Sequence, residues 1–286
     1  MILITGASGN LGTAVIKNFV KLFPDIRIAG LFRDPKKSKV STESIDIRIG
    51  DYSDKESLVN AFKGIEKLLL ISSSNNDALQ EHKNVIDAAV ETGVRHIFYT
   101  SGALNCNVEN SKLESLADSY ITTENYIIKS GLPYTIFRNG LYAETIPDFI
   151  GYEALYTGIY FPAGMGKASF IKRAEIGEAI ANVLGTEGHK NKVYLTTTQP
   201  TYSFNEIAQI LSELSGAEVS YFSPEPEEYE TRLREYGVSE GDIWFSKLFA
   251  EVIKNEEYDI KGSDIEQLLG RKPTDLKTYL KETFLD

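Results

Sequence analysis

Apolar residues follow two different periods in the first half of the chain. Short strand-like segments occur at Ile2-Leu-Ile4, Ile26 to Phe32, Ile45 to Ile49, Lys67-Leu-Leu-Leu-Ile71, His96 to Tyr99 and Tyr134 to Phe137, the first and fourth of them continuous apolar runs. Such runs read as strands buried on both faces of a sheet. Between them the apolar positions recur at helical period, from about Leu11 to Leu22, at Leu58 to Phe62, around Val85 to Val90 and from about Leu113 to Lys129. The last of these is expected to bury Leu116, Ala117, Tyr120, Ile127 and Ile128. Phe23-Pro-Asp25, Gly93 and Gly131 close three of the helices, and Ser53-Asp-Lys-Glu56 reads as a capping box opening the helix at Leu58. Strands alternating with helices at this rhythm predict an α/β protein with a doubly wound, Rossmann-like parallel sheet.

The pattern changes after Asn139. Residues 140 to 168 carry Tyr142, Tyr152, Tyr156, Tyr160, Phe161, Pro162 and several glycines with weak periodicity. Ile176 to Leu184 predicts a helix and Val193 to Thr197 a last core strand. Ser203-Phe-Asn-Glu206 is a second capping box, opening a helix from Phe204 to Leu214. Pro224 to Asp286 is acidic and helical, with Trp244, Phe245, Leu248 and Phe249 as its apolar cluster. The expected division is a nucleotide-binding core of residues 1–139 and about 169–198, and a smaller, mainly helical substrate-binding part of about 140–168 and 199–286.

Composition narrows the function classes. A chain of 286 residues with 42% hydrophobic and 25% charged residues is ordinary globular protein. The formal net charge of −11 argues against nucleic acid or an anionic membrane as partner. The single cysteine, Cys106, excludes an internal disulfide, and His82, His96 and His189 have no metal-ligand spacing, so no metal site is expected. A first strand starting at Met1 leaves no room for a leader, and no apolar run approaches membrane-spanning length, so a cytoplasmic protein is expected.

Candidate chemistry lies where a doubly wound sheet binds ligands, beyond the carboxyl ends of the strands. Thr5-Gly-Ala-Ser-Gly-Asn-Leu-Gly12 joins the first strand to the first helix, with Gly6, Gly9 and Gly12 at three-residue spacing. Gly6 suits the tight turn, Gly9 leaves the backbone open to a pyrophosphate, and Gly12 permits close helix packing, so Ser8, Asn10 and Leu11 join them as candidate cofactor contacts. At the second strand end stand Arg33, Lys36 and Lys37, which fit the 2′-phosphate of NADP(H) better than the 2′-OH of NAD(H); Asp34 stands one position too late to be a ribose acid. Asp51 and Tyr52 follow the third strand, Ser72, Ser73 and Ser74 the fourth, and Thr100 and Ser101 the fifth. These too are candidate cofactor contacts, although Asp51 reads equally as a turn residue, and the hydroxyls are either contacts or strand caps, with contact favoured by their position. The sixth strand ends at Arg138-Asn139. Asn139 is expected to orient an acceptor carbonyl, and Tyr142 and Phe161 to line a substrate cleft over the strand ends.

The glycine segment resembles the N-terminal signature of atypical and extended short-chain dehydrogenases/reductases. Leu31-Phe-Arg-Asp-Pro-Lys-Lys37, Lys67 to Ser74, Gly131-Leu-Pro-Tyr-Thr-Ile-Phe-Arg-Asn-Gly140 and Phe204-Asn-Glu-Ile-Ala-Gln-Ile-Leu211 narrow the resemblance to the NmrA-like group. Within it the chain is similar to NADPH-dependent quinone oxidoreductases and triphenylmethane dye reductases. The resemblance spans nearly the whole chain and weakens after residue 220. It implies a Rossmann core, NADP(H), a small C-terminal substrate part and hydride transfer to flat, conjugated acceptors. Standard members of the wider family use a Tyr-x-x-x-Lys pair to protonate an alkoxide. None of the 16 tyrosines here has a lysine four residues later, and Leu116 and Tyr120 occupy the two places. Tyr120 is therefore either a proton donor beside the nicotinamide or a packing residue. Two readings stand: a reductase of small conjugated or aromatic acceptors, and an NAD(P)-binding redox sensor that reports to a regulatory protein. A sugar-nucleotide epimerase would need an acid–base pair that is absent, and a homo-oligomer is compatible with either reading.

Overall fold

In the computed structural model, which describes residues 1–37, 45–73, 75, 77–105 and 114–285, the apolar runs become one sheet of seven parallel strands. The elements in order are β1 (Ile2–Ile4), α1 (Asn10–Leu22), β2 (Ile28–Phe32), β3 (Asp46–Ile49), α2 (Lys55–Ala61), β4 (Lys67–Leu70), α3 (Ala78–Glu91), β5 (His96–Gly102), α4 (Glu114–Lys129) and β6 (Tyr134–Asn139). After β6 come β7 (Leu141–Tyr142), α5 (Ile146–Ile150), α6 (Ala154–Thr157), β8 (Ile159–Tyr160), β9 (Lys167–Ala168), β10 (Phe170–Ile171), α7 (Arg173–Gly185) and β11 (Lys192–Thr196). The remainder is β12 (Tyr202–Ser203), α8 (Phe204–Ser215), β13 (Tyr221–Phe222), α9 (Pro226–Glu235), α10 (Glu240–Lys254), α11 (Ile265–Leu269) and α12 (Leu276–Phe284).

The sheet order is β11-β6-β5-β4-β1-β2-β3. The chain reverses direction across the sheet between β1 and β4, and a ligand crevice opens at such a switch point. The central strands are buried on both faces, as their continuous apolar composition requires. At one edge β3 alternates, exposing Ile47 and Ile49; at the other, β11 buries only Thr196. The expected last core strand is thus an edge strand.

Two buried clusters cover the sheet. Val15, Ile16 and Phe19 of α1 pack with Ile176, Ile180 and Leu184 of α7 on one face. The crossing of these helices is close because Gly177 has no side chain: a Cβ there would stand 2.7 Å from that of Ala14. On the other face Leu58, Val85, Ile86 and Ile127 pack from α2, α3 and α4. A third cluster, away from the sheet, gathers Phe149, Phe161, Phe204, Phe249 and Leu280. The helix α11 belongs to the first cluster through Ile265, Leu268 and Leu269, so this part of the expected substrate region packs on the sheet instead.

Several local expectations change. The cap of α2 is Asp54, whose carboxylate accepts from the Ser57 N–H, and Ser53 donates to Asp51, so the Ser53 capping box does not form. The second capping box, Ser203 with Glu206, is present in full. Ile128 is 47% exposed on the outer face of α4. Trp244 is 65% exposed, so the apolar cluster on α10 centres on Phe249. The strands β5 and β6 run on to Gly102 and Asn139, which draws residues expected in loops into the ladder.

Candidate functional site

The site begins where β1 ends. Gly6 adopts φ 57°, a left-handed backbone that favours glycine, and its carbonyl accepts the Gly9 N–H at 2.9 Å. Gly9 caps α1 with no side-chain hydrogen bond, and no acid stands in the helix's first turn. The positive end of a 13-residue helix therefore faces the strand ends without a side-chain cap. A Cβ on Gly12 would stand 2.3 Å from the Gly6 carbonyl oxygen, so only glycine lets the helix seat against the turn. Gly9 is exposed and its missing Cβ would meet only the Gly6 oxygen, at 3.2 Å, which leaves its outer side open to a ligand. Asn10 is exposed and Ser8 half-buried, while the Leu11 side chain is buried and offers the site only its backbone. This cradle fits a pyrophosphate, which needs close backbone approach and a helix N-terminus.

Arg33 is exposed directly after β2, and Lys36 follows, also exposed. The Asp34 carboxylate accepts the Lys36 backbone N–H at 3.0 Å, which makes it a turn residue. Beyond β3, Asp51 accepts from the N–H and the hydroxyl of Ser53 at 2.9 and 2.8 Å. The backbone bond from Ser53 holds its carboxyl below the usual range, and nearby Arg33 adds to this. Tyr52 turns its hydroxyl inward, between the Thr5 hydroxyl and the Ile71 carbonyl, leaving only its ring for an adenine.

The ends of β4 and β5 are cross-braced. The Ser72 N–H donates to the Thr100 hydroxyl at 2.9 Å, and the Ser73 N–H to His82 Nε2 at 2.8 Å. His82 therefore carries its proton on Nδ1, 2.9 Å from the Thr123 hydroxyl, and burial pushes its pKa down to about 4. The Ser101 hydroxyl donates to Glu124 at 2.6 Å, and Glu124 also accepts Arg138 Nε and Nη2 at 3.1 and 2.7 Å. Thr100 and Ser101 are buried, so the expectation that their hydroxyls meet a cofactor is corrected: both are spent holding β4, β5 and α4 together. Ser72 and Ser73 are half-buried, and Ser74 lies outside the described residues.

Tyr120 lies across the end of β5, a position open only because Gly102 has no side chain; a Cβ there would be 2.7 Å from the Tyr120 ring. Its hydroxyl reaches the Ser72 side chain, and burial raises its pKa, so it stays protonated. Asn139 is 6% exposed; its Oδ1 accepts from the Thr196 hydroxyl and its carboxamide lies against the Tyr142 hydroxyl. This corrects the expectation that Asn139 meets an acceptor directly: the ladder with β5 and β11 encloses it, and its carboxamide is spent on Thr196 and Tyr142. Tyr142 is half-buried, with the Arg173 guanidinium 4.4 Å above its ring. Phe161 is also corrected. It is fully buried, with ring centroids of Phe149 and Phe204 at 5.0 and 4.6 Å, because the glycine-rich segment folds into its own core.

His82, Glu124, Gly102 and Arg173 carry no local sequence signal. A lone histidine on a helix, a glycine within a strand and an arginine opening a helix gain meaning only from their tertiary neighbours. Among the described residues no three His, Cys, Asp or Glu side chains are grouped to hold a metal ion, and no helix is long and apolar enough to cross a membrane.

Comparison with known proteins bears on this arrangement. The chain is 36% identical over 244 residues to quinone oxidoreductase 2 of Escherichia coli, covering 84% of each chain. It superposes on the Citrobacter sp. triphenylmethane reductase complexed with NADP(H) with a TM-score of 0.90, at 34% identity, covering 99% of this chain and all of that one. A crystal structure of the E. coli NADPH-dependent quinone oxidoreductase complexed with NADPH gives a TM-score of 0.89 at 32% identity, over 99% of this chain and all of that one. With the sequence profile of the NmrA-like family matching residues 1–283, on top of the glycine cradle and the seven-stranded parallel sheet, the chain belongs to the NmrA-like family.

Proposed function

We propose that this protein is an NADPH-dependent reductase that transfers hydride directly to a quinone or a similar conjugated acceptor. The observation that carries the reading is the uncapped positive end of α1 behind Gly6, Gly9 and Gly12, with exposed Arg33 at the end of β2. Relatives that share this fold over their full length were crystallised with NADP(H) and NADPH.

The residues divide the work as follows. Backbone N–H groups at the start of α1 hold the pyrophosphate, and Arg33, with Lys36 beyond it, meets the 2′-phosphate. Tyr52 offers a ring face and Asp51 a turn at the adenine end. The braced ends of β4 and β5, with Ser72 and Ser73, fix the floor on which Tyr120 and Tyr142 sit. Bound NADPH would supply the hydride, and the protein supplies orientation and exclusion of water. Leu116 stands where a standard short-chain dehydrogenase has its tyrosine, so alkoxide protonation by that route has no donor; a reduced quinone can take its proton from water.

The test is an NADPH-oxidation assay against a panel of quinones and dyes, run in parallel with NADH. Sustained turnover with NADPH favoured supports the reading. Tight cofactor binding with no turnover on any acceptor overturns it and points to a redox sensor.

A further inference from the structure

We infer that Arg173, together with the Tyr142 hydroxyl, receives the acceptor's oxygen and the negative charge that reduction places on it. This deepens the reductase reading and rests on it. A quinone that gains a hydride gains one proton and two electrons: the donor's C–H bond breaks, a bond to hydrogen forms on the acceptor, and an electron pair is left on oxygen. Water later protonates that oxygen and leaves hydroxide. Until then the charge needs a partner, and the tyrosine–lysine pair that would serve is absent.

Arg173 suits the role. Arg27, Arg95, Arg138, Arg234 and Arg271 all have carboxylate partners. Arg173 is half-buried, yet among the described residues no carboxylate lies within ion-pair distance of it. Neither adjacent acid pairs with the guanidinium: both Glu144 oxygens accept the Arg173 backbone N–H, at 3.0 and 3.1 Å, at the start of α7, and Asp148 feels the Arg173 charge only from beyond ion-pair distance. The guanidinium is thus left over the Tyr142 ring at 4.4 Å. Pairing of β10 with β7, which sets Ile171 beside Tyr142, brings Arg173 there. Asn139, itself held by Thr196, lies against the Tyr142 hydroxyl and orients it. With one ring face already covered by Arg173, Tyr142 acts through its hydroxyl and its other face. A guanidinium always carries its charge and has donors in a planar fork, so it binds an oxyanion well and repels a cation. The site therefore selects neutral carbonyl acceptors over cationic triarylmethane dyes.

The experiment compares wild type with R173Q and R173K, and with K172Q, whose lysine pairs with Glu282, as control. R173Q should lower kcat/KM for neutral 1,4-benzoquinone about tenfold or more, a modest version of losing one oxyanion donor. Activity on crystal violet should hold or rise, NADPH affinity should stay within about twofold, and R173K should keep part of the quinone activity. Independently of cofactor, 4-nitrophenol titrated onto the protein should shift toward its yellow phenolate on wild type and K172Q but not on R173Q. An equal fall for quinone and dye, or identical nitrophenol titrations in wild type and R173Q, overturns the inference. Should wild type reduce no acceptor at all, the reductase reading fails by itself, and the nitrophenol shift still decides whether Arg173 holds an anionic oxygen.

Discussion

The glycine cradle makes a sharp prediction because two of its glycines are required for different reasons. At Gly12 an added Cβ would stand 2.3 Å from the Gly6 oxygen, 2.9 Å from the Gly6 carbonyl carbon and 3.0 Å from the Ala7 Cα, all of them backbone atoms. No side chain can swing aside, so Gly12→Ala must move the start of α1 by roughly 1 Å. Overpacking of this kind costs about 1–3 kcal/mol, and a clash with backbone alone falls in the upper part of that range, above the roughly 1 kcal/mol at most that the better helix propensity of alanine returns. At Gly9 the backbone is extended (φ −75°, ψ 168°), so any residue adopts it, and the nearest atom to a new Cβ is at 3.2 Å. Gly9→Val therefore leaves the fold nearly intact while placing a branched side chain where the pyrophosphate must approach. Thermal unfolding and NADPH titration separate the two effects. Gly12→Ala should lower Tm by several degrees, at about 2–4 °C per kcal/mol. Gly9→Val should change Tm by no more than about 3 °C yet weaken NADPH more than tenfold, which is about 1.4 kcal/mol. Unchanged NADPH affinity in folded Gly9→Val would refute the cradle as the pyrophosphate site. An unchanged Tm in Gly12→Ala would refute the packing argument.

Three further outcomes are expected. Arg33→Ala should erase most of a preference for NADPH over NADH and leave NADH affinity nearly unchanged in paired titrations; a wild type that prefers NADH would show that Arg33 faces solvent in the complex. Tyr120→Phe keeps the ring against Gly102 and removes only the hydroxyl, so a large loss of quinone turnover with intact Tm identifies a proton donor, and a small loss identifies packing. His82 has its pKa depressed from 6.5 to about 4 by burial, so the unfolded chain binds its proton first as pH falls. The stability it contributes is complete above about pH 6.5 and is lost toward pH 4, at up to about 1.4 kcal/mol per pH unit. Urea unfolding of wild type and His82→Gln at pH 7 and 5 measures this; parallel losses in both proteins would remove His82 as the cause.

The sequence by itself determined the sheet and the strand ends at which the candidate site is sought. Strands buried on both faces must be apolar almost throughout, an edge strand such as β3 must alternate, and helices that cover them must repeat every 3.6 residues, so β1 to β6 and α1 to α4 are written in local pattern. Gly6 and Gly12 are equally legible, because a left-handed turn and a backbone contact tolerate no other residue. Tertiary structure alone decided which polar residues at the strand ends are committed to the protein. Ser101 and Thr100 look like Ser72 in sequence, but Glu124, one helix away, takes the Ser101 hydroxyl, and Thr100 is spent on β4. Phe161 and Tyr142 both follow β6 as aromatics in a glycine-rich stretch, and only the closing of a third core around Phe149 and Phe204 separates a fully buried ring from one left half-buried beneath Arg173. Arg173 was invisible for the same reason. Its meaning depends on which acids are near and where they point, and Glu144 is 29 residues away along the chain. Periodicity records what a residue's own element requires, whereas the pairing of a buried polar group is settled by residues that only the fold brings within 3 Å.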